Sequence, residues 1–339
     1  VRVADLGEFS LIARLKDIVH TDHPDVIVGI DDDAAVLAGS DDEYILATVD
    51  SHIEQVHYLP YLGTPYQIGR RALVVNLSDI AAMGGRPQYA LVSLGLPADT
   101  EVEWLEEAYR GMRAEADRFG VLIVGGNVTR SPAGVRIDIT LLGRVPHEHM
   151  LLRCGAQAGD VLLVTDHVGE AFAGLHLVFD PRLPVAADVR TRLITRYIEP
   201  EPRVREAGVI ARSQLATAMI DVSDGLSGDI GHICERSELG VRVWADRLPV
   251  SAEARSVADA MNVPFWEFAL EGGDDYGLCL TASHDTVDKL IAAVEQESGT
   301  ILHVIGEMLP VEEGRRLVLP DGQDLPLSVE AWQHFQAEE

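Results

Sequence analysis

Apolar and polar positions along the chain follow two rhythms that repeatedly exchange places. Residues 44–50, YILATVD, read as a strand running into Asp50. From Thr64-Pro65, an N-cap and first-turn pair, the spacing turns helical: Ile68, Ala72, Val75 and Ile80 fall toward one side until Gly84-Gly85 stops the run. PQYALVSLGLP (87–97) predicts the next strand. Asp99 or Thr100 then opens a helix carrying Val102, Leu105, Tyr109, Met112, Ala116 and Phe119, closed by Gly120. VLIVGG and the alternating VRIDITLLGRV (135–145) are predicted strands.

The pattern pauses at PHEHMLLRCGAQAGD, and VLLVTD starts a new unit, so two domains are expected, 1–148 and 149–339. The second alternates again: a Gly/Ala-rich helix after Gly169, a helix near 203–213, strand ATAMID, a helix from Gly225 to about Glu238, strands VRVWAD and YGLCLTA, a helix over 284–297 and strand ILHVIGEML. Both halves read as mixed α and β units, α/β and α+β in class.

At 339 residues and 47% apolar content the chain can bury a substantial core. Its 55 acidic against 27 basic residues, a formal charge of −28, argue against nucleic acid or an anionic membrane as partner, and imply that any phosphate it handles must arrive with cations. No stretch approaches the ~20 apolar residues of a membrane helix. Cys154, Cys234 and Cys279 are far apart with no C-x-x-C pair, so a reducing, cytoplasmic setting is expected.

Candidate chemistry starts with Asp31, Asp32 and Asp33, three acids flanked by Val26-Ile27-Val28 and Ala34-Ala35-Val36-Leu37. Asp is poor in strands and helix interiors, so the triplet is either a solvated turn between short strands or a cation site. Further acids lie in or beside apolar elements: Asp50, Asp79 in NLSDIAAMGG, and Asp221, Asp224 and Asp229 in IDVSDGLSGD, with Asn127 after VGG. Oxygen donors converging without a Cys/His cluster suit Mg²⁺. Asp224 also stands where it could cap the helix beginning near Gly225. Glycines at Gly125-Gly126, Gly225, Gly228 and Gly272-Gly273 leave backbone N–H groups open to phosphate, although neither a G-x-x-x-x-G-K-[ST] loop nor G-x-G-x-x-G is present.

The segments EFSLIARL, GIDDDAAVL, VDSHIEQVHY, IGRRALVVNLSDIAAMGGRP, GGNVTRSP, RCGAQAGD, IDVSDGLSGDIGHI, EGGDDYGLCLT and WQHF occur in the order found in thiamine-monophosphate kinases, which the chain resembles over nearly its whole length. That family shares an ATP-binding superfamily with aminoimidazole ribonucleotide synthetase and selenophosphate synthetase. The resemblance implies the two-domain synthetase-like fold, with an N-terminal sheet forming a dimeric barrel in a homodimer. It also implies ATP as co-substrate with several Mg²⁺ ions, and thiamine monophosphate as the small-molecule acceptor. By motif position, Asp32, Asp33, Asp50, Asp79, Asn127, Asp221 and Asp224 match metal ligands. Gly126, Asn127, Arg153 and Ser223 match nucleotide contacts, and His57, Asp274 and Trp332 match the thiamine phosphate pocket. No covalent nucleophile is implied.

Several positions depart from the family pattern: Asp31 stands for Gly, Val49 for the Thr before Asp50, Gln55 for Gly, Asn127 for Asp, Asp274 for Glu and Gly277 for a second Glu. Asn still offers a carbonyl oxygen to Mg²⁺ but no charge. Two other readings therefore stay open at this level: a relative that uses ATP to phosphorylate a different metabolite, and a nucleotide-binding protein with little catalysis.

Overall fold

A computed structural model of the chain describes residues 2–19, 22–30 and 32–328. In chain order the helices are α1 (Glu8–Val19), α2 (Pro65–Ala82), α3 (Val102–Phe119), α4 (Glu170–Phe179), α5 (Ala187–Ile198), α6 (Val204–Ser213), α7 (Leu226–Ser237), α8 (Ala252–Met261), α9 (Phe265–Glu271) and α10 (Val287–Ser298). The first six strands are β1 (Val26–Val28), β2 (Ala35–Leu37), β3 (Glu43–Ile53), β4 (Arg86–Leu96), β5 (Leu122–Arg130) and β6 (Arg136–Pro146). Then come β7 (Val161–Thr165), β8 (Ala216–Val222), β9 (Leu239–Trp244), β10 (Gly277–Ala282), β11 (Leu302–Pro310), β12 (Arg315–Val318) and β13 (Asp324–Pro326).

The first six strands make one sheet in the order β1-β2-β3-β6-β4-β5, antiparallel except for the β4–β5 pair. The remaining seven make a second sheet, β13-β12-β9-β11-β7-β10-β8. Local chemistry explains the helix ends. Thr64 accepts from the Gln67 N–H, Gln67 reaches back, and Pro65 follows, so α2 starts where the spacing predicts. Gly120 ends α3 in the left-handed conformation (φ 71°). The start of α3 differs from expectation: Thr100 Oγ1 donates to the Pro97 carbonyl, within the preceding turn, and Glu101 takes the N-cap position.

Leu73, Leu77 and Ile80 of α2 pack on Leu46, Val92, Ile137, Ile139 and Leu141 of the first sheet, and α3 packs on α2. The two helices nearly touch: a Cβ on Gly69 would lie 1.9 Å from the Ala108 carbonyl oxygen, and one on Gly111 equally close to that of Tyr66. Only glycine permits that approach. Ala81 and Ala82 share a third cluster with Ala207, Ile210 and Ala211 of α6 and Leu163 and Leu280 of the second sheet, so the end of α2 sits in the seam between the two sheets.

Among the described residues no helix packs on the other face of the first sheet. Register lines up Val49, Thr140 and Leu91 in one row and Ala47, Leu142, Tyr89 and Leu122 in the next. Val49, Tyr89, Leu91 and Leu122 are all exposed. Within one chain the sheet is open, with β1 and β5 as edges, so the expected barrel is not closed by a single chain. Among the described residues no helix is long and apolar enough to cross a membrane.

Candidate active site

Three elements each deliver a carboxylate to one point. Asp33 comes from the loop between β1 and β2, Asp79 from the last turn of α2, and Asp221 from the end of β8; one oxygen of each lies within 4.8 Å of the others. Neighbouring hydroxyls orient them. Thr48 of β3 donates to Asp79 at 2.5 Å, Ser78 donates to Asp221 at 2.6 Å, and Ser223 donates to Asp221 at 3.2 Å. Asp50 stands beside this group, hydrogen-bonded to Asp79 through its carboxyl, while its N–H donates to Asn76 Oδ1 at 3.2 Å. It lies inside β3 rather than at the strand end expected from the sequence, because β3 continues to Ile53. Asp32 accepts from the Arg153 N–H at 3.1 Å, and the Arg153 guanidinium donates to Asp33 at 2.5 Å.

The electrostatics of this arrangement are one-sided. Burial, and then the charge of Asp33, push Asp32 and Asp221 up from 3.8 to about 7. Burial and Glu8 push Asp224 to about 6. Asp79 is raised well above the ordinary carboxylate range by burial and then by Asp50, Asp221 and Asp33, and Asp50 is raised by burial. Asp229, buried in α7, is raised well above it by burial and then by Asp224 and Asp221. Arg153 is the cation among these causes, and it does not offset so many acids. Asp33 Oδ2 and Asp229 Oδ2 are buried with no hydrogen-bond partner. Buried carboxylate oxygens without donors and an all-oxygen environment fit hard divalent cations such as Mg²⁺.

A second set of groups adjoins the first. The Asp274 N–H donates to the Ser223 carbonyl and the Tyr276 N–H to that of Val222, each at 2.8 Å, fastening residues 274–276 to the segment that carries Asp221 and Asp224. Asp274 pairs with the buried Arg71 at 2.7 Å and accepts from the Tyr276 hydroxyl at 2.9 Å. Burial opposes the charge on Arg71, yet Asp274, Tyr276 and Tyr197 outweigh it and raise its pKa. Arg71, His52, Tyr58, Gln67 and Tyr197 line a narrow cavity. His57 adjoins His52, its ring 6.0 Å from that of His52 and its Nδ1 accepting from the Ile53 N–H at 3.1 Å. Arg71 and Asp79 are eight residues apart on one helix, about 12 Å along its axis. The cavity and the acidic cluster are thus two ends of one region.

Known proteins resemble this chain over nearly its whole length. The model of the AIR synthase related protein N-terminal domain matches residues 31–145, and that of the C-terminal domain matches residues 157–318. A thiamine-monophosphate kinase from Salmonella typhimurium is 36% identical over 331 residues, 97% of this chain and 98% of that protein. One from Bacillus subtilis is 31% identical over 98% of this chain and all of its own length. The solved structure of AaThiL complexed with AMPPCP and TMP has a TM-score of 0.83 at 30% identity, covering 98% of this chain and 99% of its own. The chain belongs to the thiamine-monophosphate kinase family.

Among the positions matched to ligands of that family, Asp33, Asp79 and Asp221 converge, with Asp32, Asp50, Arg153 and Ser223 bonded to them or to one another. Asp224 faces the same acids, and it does not cap α7: Gly225 holds the N-cap position and no side chain caps it. Asn127 is not brought to the cluster within one chain. It pairs with Ser93, which pairs with Asp138, which pairs with Ser51, so it lies three strands from β3, roughly 14 Å at ordinary strand spacing. That row is on the helix-free face, opposite Asp50. Gly126 is in β5 across the same three strands from Asp50. Val49, the other family departure next to Asp50, also points outward. Asp31 and Trp332 lie outside the described residues. Asp275 accepts from the Gly169 and Ala171 N–H groups and so anchors the start of α4.

Sequence reasoning passed over Thr48 and Arg71. The Arg70-Arg71 pair inside an otherwise apolar helix was the available signal, since a buried guanidinium needs a partner. For Thr48 no signal stood out, because its role follows from β3 crossing under α2.

Proposed function

We infer that the protein transfers the terminal phosphoryl group of ATP to thiamine monophosphate, giving thiamine diphosphate and ADP, with several Mg²⁺ ions at the acidic cluster. The observation that carries this is the buried convergence of Asp33, Asp79 and Asp221, with Asp33 Oδ2 unpartnered, joined through residues 274–276 to Arg71 on the wall of the cavity. The curated relatives are named thiamine-monophosphate kinase, and AaThiL is solved with AMPPCP and TMP.

The acceptor is itself a phosphate anion at neutral pH, so the reaction requires neither a protein nucleophile nor a strong base. Asp32, Asp33, Asp50, Asp79, Asp221 and Asp224 are the metal-holding residues. The bound cations supply the positive charge that lets two anionic phosphates approach, a task beyond a chain of charge −28. Arg153 and Ser223 contact the nucleotide and keep Asp33 and Asp221 in register. By family position His57 and Asp274 serve the thiamine phosphate pocket, with Arg71 positioning Asp274; Trp332, matched to the same pocket, lies outside the described residues. Catalysis is by placement and charge neutralisation.

In this reading residues 1–148 hold most of the metal ligands, residues 149–339 close the site from the other side, and the active unit is a homodimer. The outer rows through Val49, Tyr89, Leu91 and Leu122 support the dimer, since an obligate interface resembles a core cut in half. Joining two such faces completes the barrel and lets Asn127 reach a triphosphate in the other subunit. The free cysteines support a reducing, cytoplasmic setting. The test is incubation with Mg-ATP and thiamine monophosphate, read by chromatography. Formation of thiamine diphosphate is expected, while ATP binding without turnover, or ADP release only with a different acceptor, overturns the assignment.

A further inference from the structure

Away from the acidic cluster, a cleft of about 490 Å³ opens between the first sheet and α6. It lies beyond the end of α2, and Glu43 on its wall is five residues before Thr48 on β3, roughly 17 Å along the strand from the hydroxyl that holds Asp79. Four of the chain's 27 basic residues line it: Arg86 and Arg144 from the sheet, and Arg205 and Arg212 from α6. Only Glu43 and Glu297 oppose them on the walls.

The pairing of these groups leaves positive charge over. Arg86 and Arg144 are directly opposite each other on β4 and β6, an arrangement that costs stability unless something negative lies between or above them. Arg144 donates to Gln88 at 3.2 Å and has Glu43 only at 3.9 Å, while the Arg86 side chain makes no hydrogen bond or ion pair with the described residues. Glu297 serves both α6 arginines, its carboxylate meeting Arg212 at 2.9 Å and its backbone carbonyl accepting from Arg205. Two glutamates against four arginines leave a net charge of about +2 in a protein of charge −28, in a cleft of the size that small ligands occupy.

We propose that this cleft binds a small anion carrying two or more phosphate charges, of which inorganic diphosphate is the minimal form, at a site separate from the one that holds ATP. Guanidinium forks match phosphate oxygens in pairs, and a diphosphate offers two phosphoryl groups to a cleft whose arginines come in two pairs, one from the sheet and one from α6. The occupant ties α6 to the first sheet across the seam where Ala81 and Ala82 pack on Ala207 and Ala211. Binding therefore stiffens the junction next to the helix that carries Asp79.

The experiment is calorimetric titration of the full chain with inorganic diphosphate in magnesium-free buffer containing EDTA, with sodium chloride at matched ionic strength as reference. Saturable one-to-one binding is expected. Arg86→Gln with Arg144→Gln should weaken it at least tenfold, and so should Arg205→Gln with Arg212→Gln; the two pairs sit on separate elements, so a folding defect in one leaves the other readable. Asp79→Asn should leave the affinity within twofold, which separates this cleft from the metal cluster. Heat no greater than the salt reference, undiminished affinity in both arginine pairs, or citrate binding tenfold more tightly than diphosphate overturns the proposal.

Discussion

Asp79→Asn should have opposite effects on stability and on function. The substitution keeps an oxygen for the Thr48 hydroxyl and removes a charge from a group whose oxygens lie within 4.8 Å of those of Asp33 and Asp221. At that separation and an effective dielectric constant of about 20, each ionised neighbour costs about 3.5 kcal/mol. The metal-free protein avoids most of this by retaining protons, as the raised pKa values of Asp79 and Asp221 record. The net gain at pH 8 should therefore be about 1–2 kcal/mol, or roughly 1–3 °C in Tm for a chain of this length. Magnesium reverses the comparison. At a hundred times its Kd it stabilises the wild type by about 2.7 kcal/mol, and the variant should lose most of that along with phosphoryl transfer. Thermal unfolding at pH 8 in EDTA and in saturating Mg²⁺, beside an assay of thiamine diphosphate formation, reads all three quantities. A variant that melts lower than wild type in EDTA yet gains the full magnesium increment would show that Asp79 is a structural residue and that the electrostatic reasoning is wrong.

Because Asp32 and Asp221 titrate at about 7 and Asp224 at about 6 instead of at 3.8, their stabilising contribution is complete below about pH 4 and is lost as pH rises to about 7. Metal-free protein should thus lose stability from pH 5 to 8 in denaturant titrations, and saturating Mg²⁺ should reverse the slope; a flat profile in EDTA would contradict the assigned shifts. Leu91→Glu, on the helix-free face, should convert the proposed dimer to monomer in sedimentation at micromolar concentration, and a wild type that sediments as a monomer or a variant of unchanged mass would remove that face as the interface. Arg71→Ala leaves Asp274 without its cation, so it should cost about 3 kcal/mol in stability and raise KM for thiamine monophosphate about tenfold with KM for ATP little changed. Equal losses for both substrates would place Arg71 outside the acceptor site.

Much of the local structure was legible in the chain because its causes are local. Thr64, Pro65 and Gln67 start α2 through contacts three residues apart, and Gly120 ends α3 through its own φ. The elements that were not foreseen, such as α5 and the short α8 and α9, draw their apolar partners from elsewhere in the second core, so period alone did not mark them. The acids too were legible as candidates, since Asp is costly among Ile, Ala and Leu unless something compensates it. Which acids meet was a different matter. Asp33, Asp79 and Asp221 span nearly two hundred positions, and they converge because β3 passes beneath α2 and β8 ends beside it. Asn127 reads as their companion in a motif, yet the order β3-β6-β4-β5 carries it three strands away and the register turns it to the opposite face. Asp224 looks like a helix cap, and Asp275 closely follows Gly272-Gly273, whose N–H groups read as open to phosphate. The packing gives the N-cap of α7 to Gly225 and sets Asp275 against the N–H groups at the start of α4. A residue's own chemistry and its near neighbours decide what it can bind. Strand order and a register set by distant pairings decide what it faces, and no pattern within a few residues of Asn127 or Asp275 contains that information.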